Sequence, residues 1–280
     1  MLAICCLSTK PSKKRGWKSK ISTLVFVVVI LTISAFGQAR TAEVLQAEAV
    51  ALTNLGFDYS KLGQHKKAVE VLSRAIQLKP DLVEAHYFLG AAYNNMDQYT
   101  EAIKEFKESI RLKPGWAAAY SGLGVAYNCS KLLDESVEAL LEATRLAPEW
   151  AQPYMNLSVT YTNQRRFQEA SEAGEKAVRL DPNLAEAHYR LGVAYFHLGK
   201  RKEAVDFFER AVLLKPDYAE AHVDLGLIYL LAGNKSAALE EHRKVERLDP
   251  NLARELFNEI YKDKILTVSP PTQTKDRRPR

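Results

Sequence analysis

Between residues 185 and 198, apolar side chains return at Ala187, Leu191, Ala194, Tyr195 and Leu198, the three-and-four spacing of one helical face. Gly199-Lys200 interrupts the pattern. A second stripe, Ala204, Phe207, Phe208, Ala211 and Val212, then follows at the same spacing. The pattern predicts two helices joined by a tight turn. Moving the window by 34 residues reproduces it: prolines fall at Pro80, Pro114, Pro148, Pro182, Pro216 and Pro250. In the same frame a Leu-Gly pair recurs at Leu55-Gly56, Leu89-Gly90, Leu123-Gly124, Leu191-Gly192 and Leu225-Gly226, with Leu157-Ser158 as the one departure. Tyr59, Tyr93, Tyr127, Tyr161, Tyr195 and Tyr229 follow three residues later. Small residues return at Ala68, Ala102, Ser136, Ala170, Ala204 and Ala238. Each proline disfavours helical geometry in the residue before it and so ends a second helix. Two residues beyond it, Leu82, Trp116, Trp150, Leu184, Tyr218 and Leu252 are expected to pack each unit on the next.

These Leu-Gly, Tyr, Ala, Phe and Pro places resemble the tetratricopeptide repeat family over residues 49–252. The resemblance implies an all-α fold, a right-handed α-solenoid of antiparallel helix pairs, with repeats at 49–82, 83–116, 117–150, 151–184, 185–218 and 219–252. A lone hairpin cannot bury its apolar faces, so a stack needs a cap. Residues 253–266, with Leu256 and Ile260 on one side, are read as a C-terminal capping helix, and 40–48 as a lead-in to the first helix. The family's first-helix Trp is replaced by Leu52, His86, Tyr120, Tyr154, His188 and His222. The large apolar place late in the second helix holds Leu72, Phe106, Leu140 and Phe208, but Gly174 and His242 in the fourth and sixth repeats, where looser packing is expected.

Composition changes the picture mainly at the ends. The chain has 280 residues, 47% hydrophobic, and a formal charge of +5. Residues 1–39 carry six bases and no acid, and residues 266–280 carry Lys275, Arg277, Arg278 and Arg280 against Asp276, which leaves 40–265 at −4. A mildly acidic body lacks the field that a phosphate-backbone binder needs, so no nucleic acid is expected. Residues 1–20 read as a basic cytoplasmic region. Residues 21–39, whose run 21–36 is uncharged, read as a signal peptide or a signal anchor. Gly37 and Ala39 favour cleavage before Arg40; the alternative is a retained single-pass anchor in the membrane. Either way the repeats are expected outside the cytoplasm. Residues 267–280, Pro-rich and basic, are expected to be a disordered tail.

Candidates for chemistry dissolve into the repeat. There is no nucleophile elbow, no phosphate-cradling glycine loop and no pair of His on one helical turn. His86, His188 and His222 share one repeat place, so they belong to successive units rather than to one metal centre. Cys129 is expected to be a small buried side chain. No catalytic residue, cofactor or metal is expected. Asn128, Asn156 and Asn234 begin Asn-x-Ser sequons, with only Asn234 placed in a turn.

The resemblance implies that the first helices line a concave face that binds an extended peptide or a helix. The lining places nominate Thr53, Phe57, Tyr87, Asn94, Asn95, Asn128, Met155, Asn163, Tyr189, Arg190, Val193, His197 and Leu227. The Lys and Asn of the family's carboxylate clamp are absent. What remains is amide-rich in the middle and aromatic or aliphatic towards Tyr189 and Leu227, suited to a protein or peptide partner. Leu227 has a plainer alternative, packing on the capping helix. A second reading, a glycan-binding or envelope-polysaccharide role, would rest on Tyr87 and Tyr189.

Overall fold

The computed structural model describes residues 41–265, with side chains as far as Tyr261. The address read at 1–39 and the tail read at 267–280 lie outside the described residues. Among the described residues every regular element is a helix. The backbone divides after Phe88 into two compact units.

In the first unit, α1 covers residues 41–61 and α2 runs His65–Leu78. α3, Val83–Asn94, begins there. Leu72 is fully buried over Gly56, where an added Cβ would sit 2.4 Å from Leu72 Cγ. The lead-in read at 40–48 continues into α1 without a break from residue 41.

The second unit contains α4 (Tyr99–Leu112), α5 (Ala117–Cys129), α6 (Leu133–Leu146), α7 (Ala151–Asn163) and α8 (Phe167–Leu180). It continues through α9 (Ala185–His197), α10 (Arg201–Leu214), α11 (Ala219–Leu231), α12 (Lys235–Leu248) and α13 (Pro250–Ile265). α5 pairs with α6, α7 with α8, α9 with α10 and α11 with α12. Each pair stacks on the next through α6 on α7, α8 on α9 and α10 on α11. This is the expected solenoid of helix pairs. The cap α13 packs on both α11 and α12; it starts at Pro250, three residues earlier than read, because proline is well suited to a helix's first position.

Both turns of the repeat follow from backbone chemistry. The residue before each proline, from Lys79 to Asp249, is extended, with φ between −134° and −146°, which closes the second helix. The turn inside each pair needs a left-handed residue, found at Gly63, Asp97, Lys131, Arg165, Gly199 and Gly233, again 34 apart, with φ of 58° to 76°. Glycine takes this conformation freely, whereas Lys131 and Arg165 hold a Cβ against the following carbonyl.

Inside each pair, the glycine of Leu-Gly lets a large side chain of the second helix lie on the first helix's backbone. A Cβ at Gly124 would stand 2.5 Å from Leu140 Cγ, and one at Gly192 2.7 Å from Phe208 Cδ1. The fourth repeat reverses the two volumes. Ser158 replaces the glycine and Gly174 replaces the large residue, whose missing Cβ would lie 3.2 Å from Ser158 Oγ and 3.1 Å from Leu191 Cδ1. Packing there is close, contrary to the expected loosening, because Leu191 of the next repeat fills the space. In the sixth repeat, where His242 was also expected to leave a gap, Leu256 of α13 supplies the side chain over Gly226, 2.9 Å from the position of an added Cβ.

The replaced Trp place has its own use. His86, His188 and His222 each turn Nε2 to the carbonyl of Pro80, Pro182 and Pro216, at 2.9, 2.9 and 3.0 Å, and Tyr154 donates to Pro148 O at 3.3 Å. A carbonyl only accepts, so Nε2 is the donor in each of the three. These residues tie first helices to inter-repeat turns. In the last repeat the tie is doubled: His222 Nδ1 meets buried Glu241 Oε2 at 2.6 Å, and Lys244 donates to Glu241 Oε1 at 2.7 Å. Burial pushes the Glu241 carboxyl up, but the hydrogen bonds from His222 and Lys244 outweigh it and leave it below the ordinary range.

Two outcomes are expected. Lys131→Gly and Arg165→Gly should each raise stability by about 0.5–1 kcal/mol, seen as a higher Tm, because the native φ there suits glycine. Because Glu241's folded pKa lies below its unfolded one, its stabilisation is complete above the unfolded value of about 4.3 and is lost as pH falls through the folded value. Glu241→Gln should therefore weaken urea resistance at pH 7 by roughly 1–3 kcal/mol, with the gap to wild type narrowing at pH 3.

Candidate functional site

Along each first helix, places two, six, nine and thirteen form one stripe, since steps of three and four residues return to the same face. In α7 the stripe is Gln152, Asn156, Val159 and Asn163; in α9 it is Glu186, Arg190, Val193 and His197; in α11 it is Glu220, Asp224, Leu227 and Leu231. α5 packs directly on α7, and α7 on α9. Between α9 and α11 no comparable backbone approach occurs among the described residues. At places five and twelve, α5 has Ser121 and Asn128, whereas α9 has the rings of Tyr189 and Phe196, and Tyr189 reaches across to Asp224 on α11.

A cavity of about 140 Å³ occupies that opening, lined by Val193, Phe196, His197, Phe208, Asp224 and Leu227. Tyr189 donates its hydroxyl to Asp224 Oδ2 at 2.9 Å and packs its ring against Tyr218 at 5.0 Å. Burial pushes the Asp224 carboxyl above its ordinary value, against the opposing pull of the Tyr189 hydrogen bond and the Arg190 and His197 charges. Burial, followed by Asp224's charge, raises Tyr189, and burial lifts Tyr218 to about 12. Both phenols therefore stay neutral donors at working pH. His197 lies exposed at the rim, its ring stacked on Phe167 at 4.5 Å.

A second cavity, about 170 Å³, lies between α5, α7 and α9 and includes Val125, Asn128, Asn156, Val159, Glu186 and Arg190 in its lining. Amides run across it from repeat to repeat: Asn156 donates to Ser121 Oγ at 3.4 Å and Asn163 to Asn128 Oδ1 at 2.8 Å. Arg190 reaches Glu186 at 3.2 Å and lies over the Tyr189 ring at 5.1 Å.

The nominated residues thus separate. Asn128 and Arg190 line the second cavity, with Asn163 bonded to Asn128, and Val193, His197 and Leu227 line the first, with Tyr189 bonded to Asp224. Asn94 is half-buried and Asn95 exposed at the end of α3. Met155 is not at the surface but buried with Ala177 and Ala187, because place five points down into the stack. Thr53 is likewise buried, its hydroxyl donating to Ala49 O at 2.8 Å; it belongs to the first unit with Phe57, which faces Phe88 at 4.9 Å, and with half-buried Tyr87. Asp224 and Asn156 escaped the sequence reading because place six was counted only in the fifth repeat, as Arg190; the two-six-nine-thirteen stripe is the signal that finds them. Cys129, expected buried, is exposed at the end of α5. Among the described residues, no group of three or more His, Cys, Asp or Glu side chains could hold a metal ion. No described helix is long and apolar enough to cross a membrane.

The stacked hairpins and their shared glycine place define a tetratricopeptide-repeat protein. Residues 31–255 match the profile of the cilia and flagella-associated protein 70 C-terminal domain, and the chain belongs to that tetratricopeptide-repeat family. No match was found among curated proteins. Solved structures with the same fold include that of the APC/C hetero-tetramer Cut9-Hcn1, at 20% identity and a TM-score of 0.69, over 76% of this chain and 42% of that one. The chain therefore spans less than half of that neighbour. Pseudomonas aeruginosa PilF matches at 19% identity and a TM-score of 0.65, over 77% of this chain and 99% of its own. YrrB, described as a TPR protein with an unusual peptide-binding site, matches at 21% identity and 0.50, over 68% and 99%.

Because Cys129 is exposed, N-ethylmaleimide applied to the native protein should alkylate it without denaturant. Peptide mass mapping checks the site.

Proposed function

We propose that this protein is a non-enzymatic binding scaffold that holds a peptide segment of a protein partner along the first-helix face of its second unit. The observation that carries this reading is the opening between α9 and α11, where two first helices stand apart over a cavity with an apolar floor of Val193, Phe196, Phe208 and Leu227. Beside it, the amides of Asn128, Asn156 and Asn163 offer donors and acceptors to a bound backbone, while Val159, Val193 and Leu227 offer apolar contact. The YrrB site is a parallel on the same fold. The six bases ahead of the uncharged run 21–36 support export, with the repeats acting outside the cytoplasm. A glycan ligand is less well supported, because Tyr189 spends its ring on Phe208 and Tyr218 and its hydroxyl on Asp224.

Selection from a random displayed-peptide library on the full chain should yield binders. Val159→Arg should weaken the best of them at least tenfold, about 1.4 kcal/mol, with an unchanged helical circular dichroism spectrum. Binding that survives both Val159→Arg and Leu227→Arg would remove the groove from the function.

A further inference from the structure

Leu227 is a wall shared by two cavities. On one side lies the 140 Å³ space with Val193, Phe196 and Phe208; on the other is a wider one of about 380 Å³ between α11 and α13, floored by Val223 and Leu256. Each has carboxylates in its lining, Asp224 in the first and Glu255 and Glu259 in the second. Among the described residues, the only other titratable side chain lining either space is His197. Arg190, the cation of α9, is paired with Glu186 and lines the neighbouring cavity instead.

We infer that this end of the groove selects a partner segment carrying a branched or ring-bearing apolar residue flanked by lysine or arginine. The proposal rests on the peptide-scaffold reading and names the class of peptide. The smaller cavity is close in size to the engineered apolar cavity of about 150 Å³ that accepts benzene, so it takes one leucine- or phenylalanine-sized anchor. A basic side chain beside that anchor lays its methylenes on the partly exposed Val223 and Leu227 and keeps its charge at the edge, where the carboxylates stand. Asp224 is already oriented by Tyr189, so the site does not have to be ordered on binding. An acidic flank meets Asp224 and Glu255 and is repelled, which gives the groove its selectivity.

The experiment uses the full-length protein and fluorescein-labelled synthetic 12-residue peptides, read by fluorescence anisotropy at two salt concentrations. The central triplet is Lys-Leu-Arg, Glu-Leu-Glu or Lys-Ala-Arg in an otherwise identical Gly/Ser frame. Lys-Leu-Arg is expected to bind about tenfold or more tighter than Glu-Leu-Glu, with the difference shrinking at high salt, and also tighter than Lys-Ala-Arg. Asp224→Asn with Glu255→Gln should cut the preference for basic flanks to about threefold or less while leaving the preference for Leu over Ala, a split that a merely unfolded variant would not show. Equal or reversed charge preference, with library-selected peptides still bound, overturns this inference and leaves the scaffold reading standing. Failure of every peptide, selected ones included, overturns both. A peptide of residues 269–280, which has the bases without the anchor, is expected to bind no better than Lys-Ala-Arg. If it binds tighter than Lys-Leu-Arg, the occupant is this chain's own C-terminal segment and the partner proposal fails.

Discussion

The contact on which the second unit depends is the one between a glycine in a first helix and a large apolar side chain in the second. Gly124 against Leu140 and Gly192 against Phe208 leave no room for a methyl group. That closeness lets the small residues Ala143, Ala177, Ala194 and Ala211 become fully buried with few large ones to help. The site inherits its order from it, because places two, six, nine and thirteen can only line a face when places five, eight and twelve are held at a fixed depth by the pair behind them.

Most of the fold could be read from the chain because its determinants are local and repeated. Each proline acts on the residue before it, and each glycine of the Leu-Gly pair on the helix it faces. What could not be read were compensations that need two places seen together. Ser158 and Gly174 look like separate defects sixteen residues apart, yet they are one exchange of volume across a single contact. His242 looks like a gap until α13 is placed, when Leu256 fills it from the next element. The six left-handed turn residues kept an exact period, but only three of them are glycine, so composition hid the pattern.

The candidate site was legible in part for the same reason. Counting the family's lining places located α9 and α11 and found Val193, His197 and Leu227. It also nominated Met155 and Thr53, which lie beneath the surface, since both occupy place five, which points into the stack. Asp224 was overlooked because its importance arises from spacing: α9 and α11 stand apart, and only then does place six have a space to face. The three repeat histidines illustrate the opposite case, where shared place alone was enough to assign them to separate units, and their shared proline carbonyl gives the reason.

The capping helix has a consequence for how such an array can change in length. Leu256 stands in for a residue that repeat six no longer encodes, and Glu241 on α12 answers His222 on α11 at the same end. Repeat six is therefore adapted to being last. Duplicating it would place a His at the volume-filling place of an internal unit, with the next first helix where α13 should be. Growth by copying is easier from repeats one, two, three or five, each of which carries its own glycine and its own large partner, so the sixth unit is written as a terminal one rather than as one more copy.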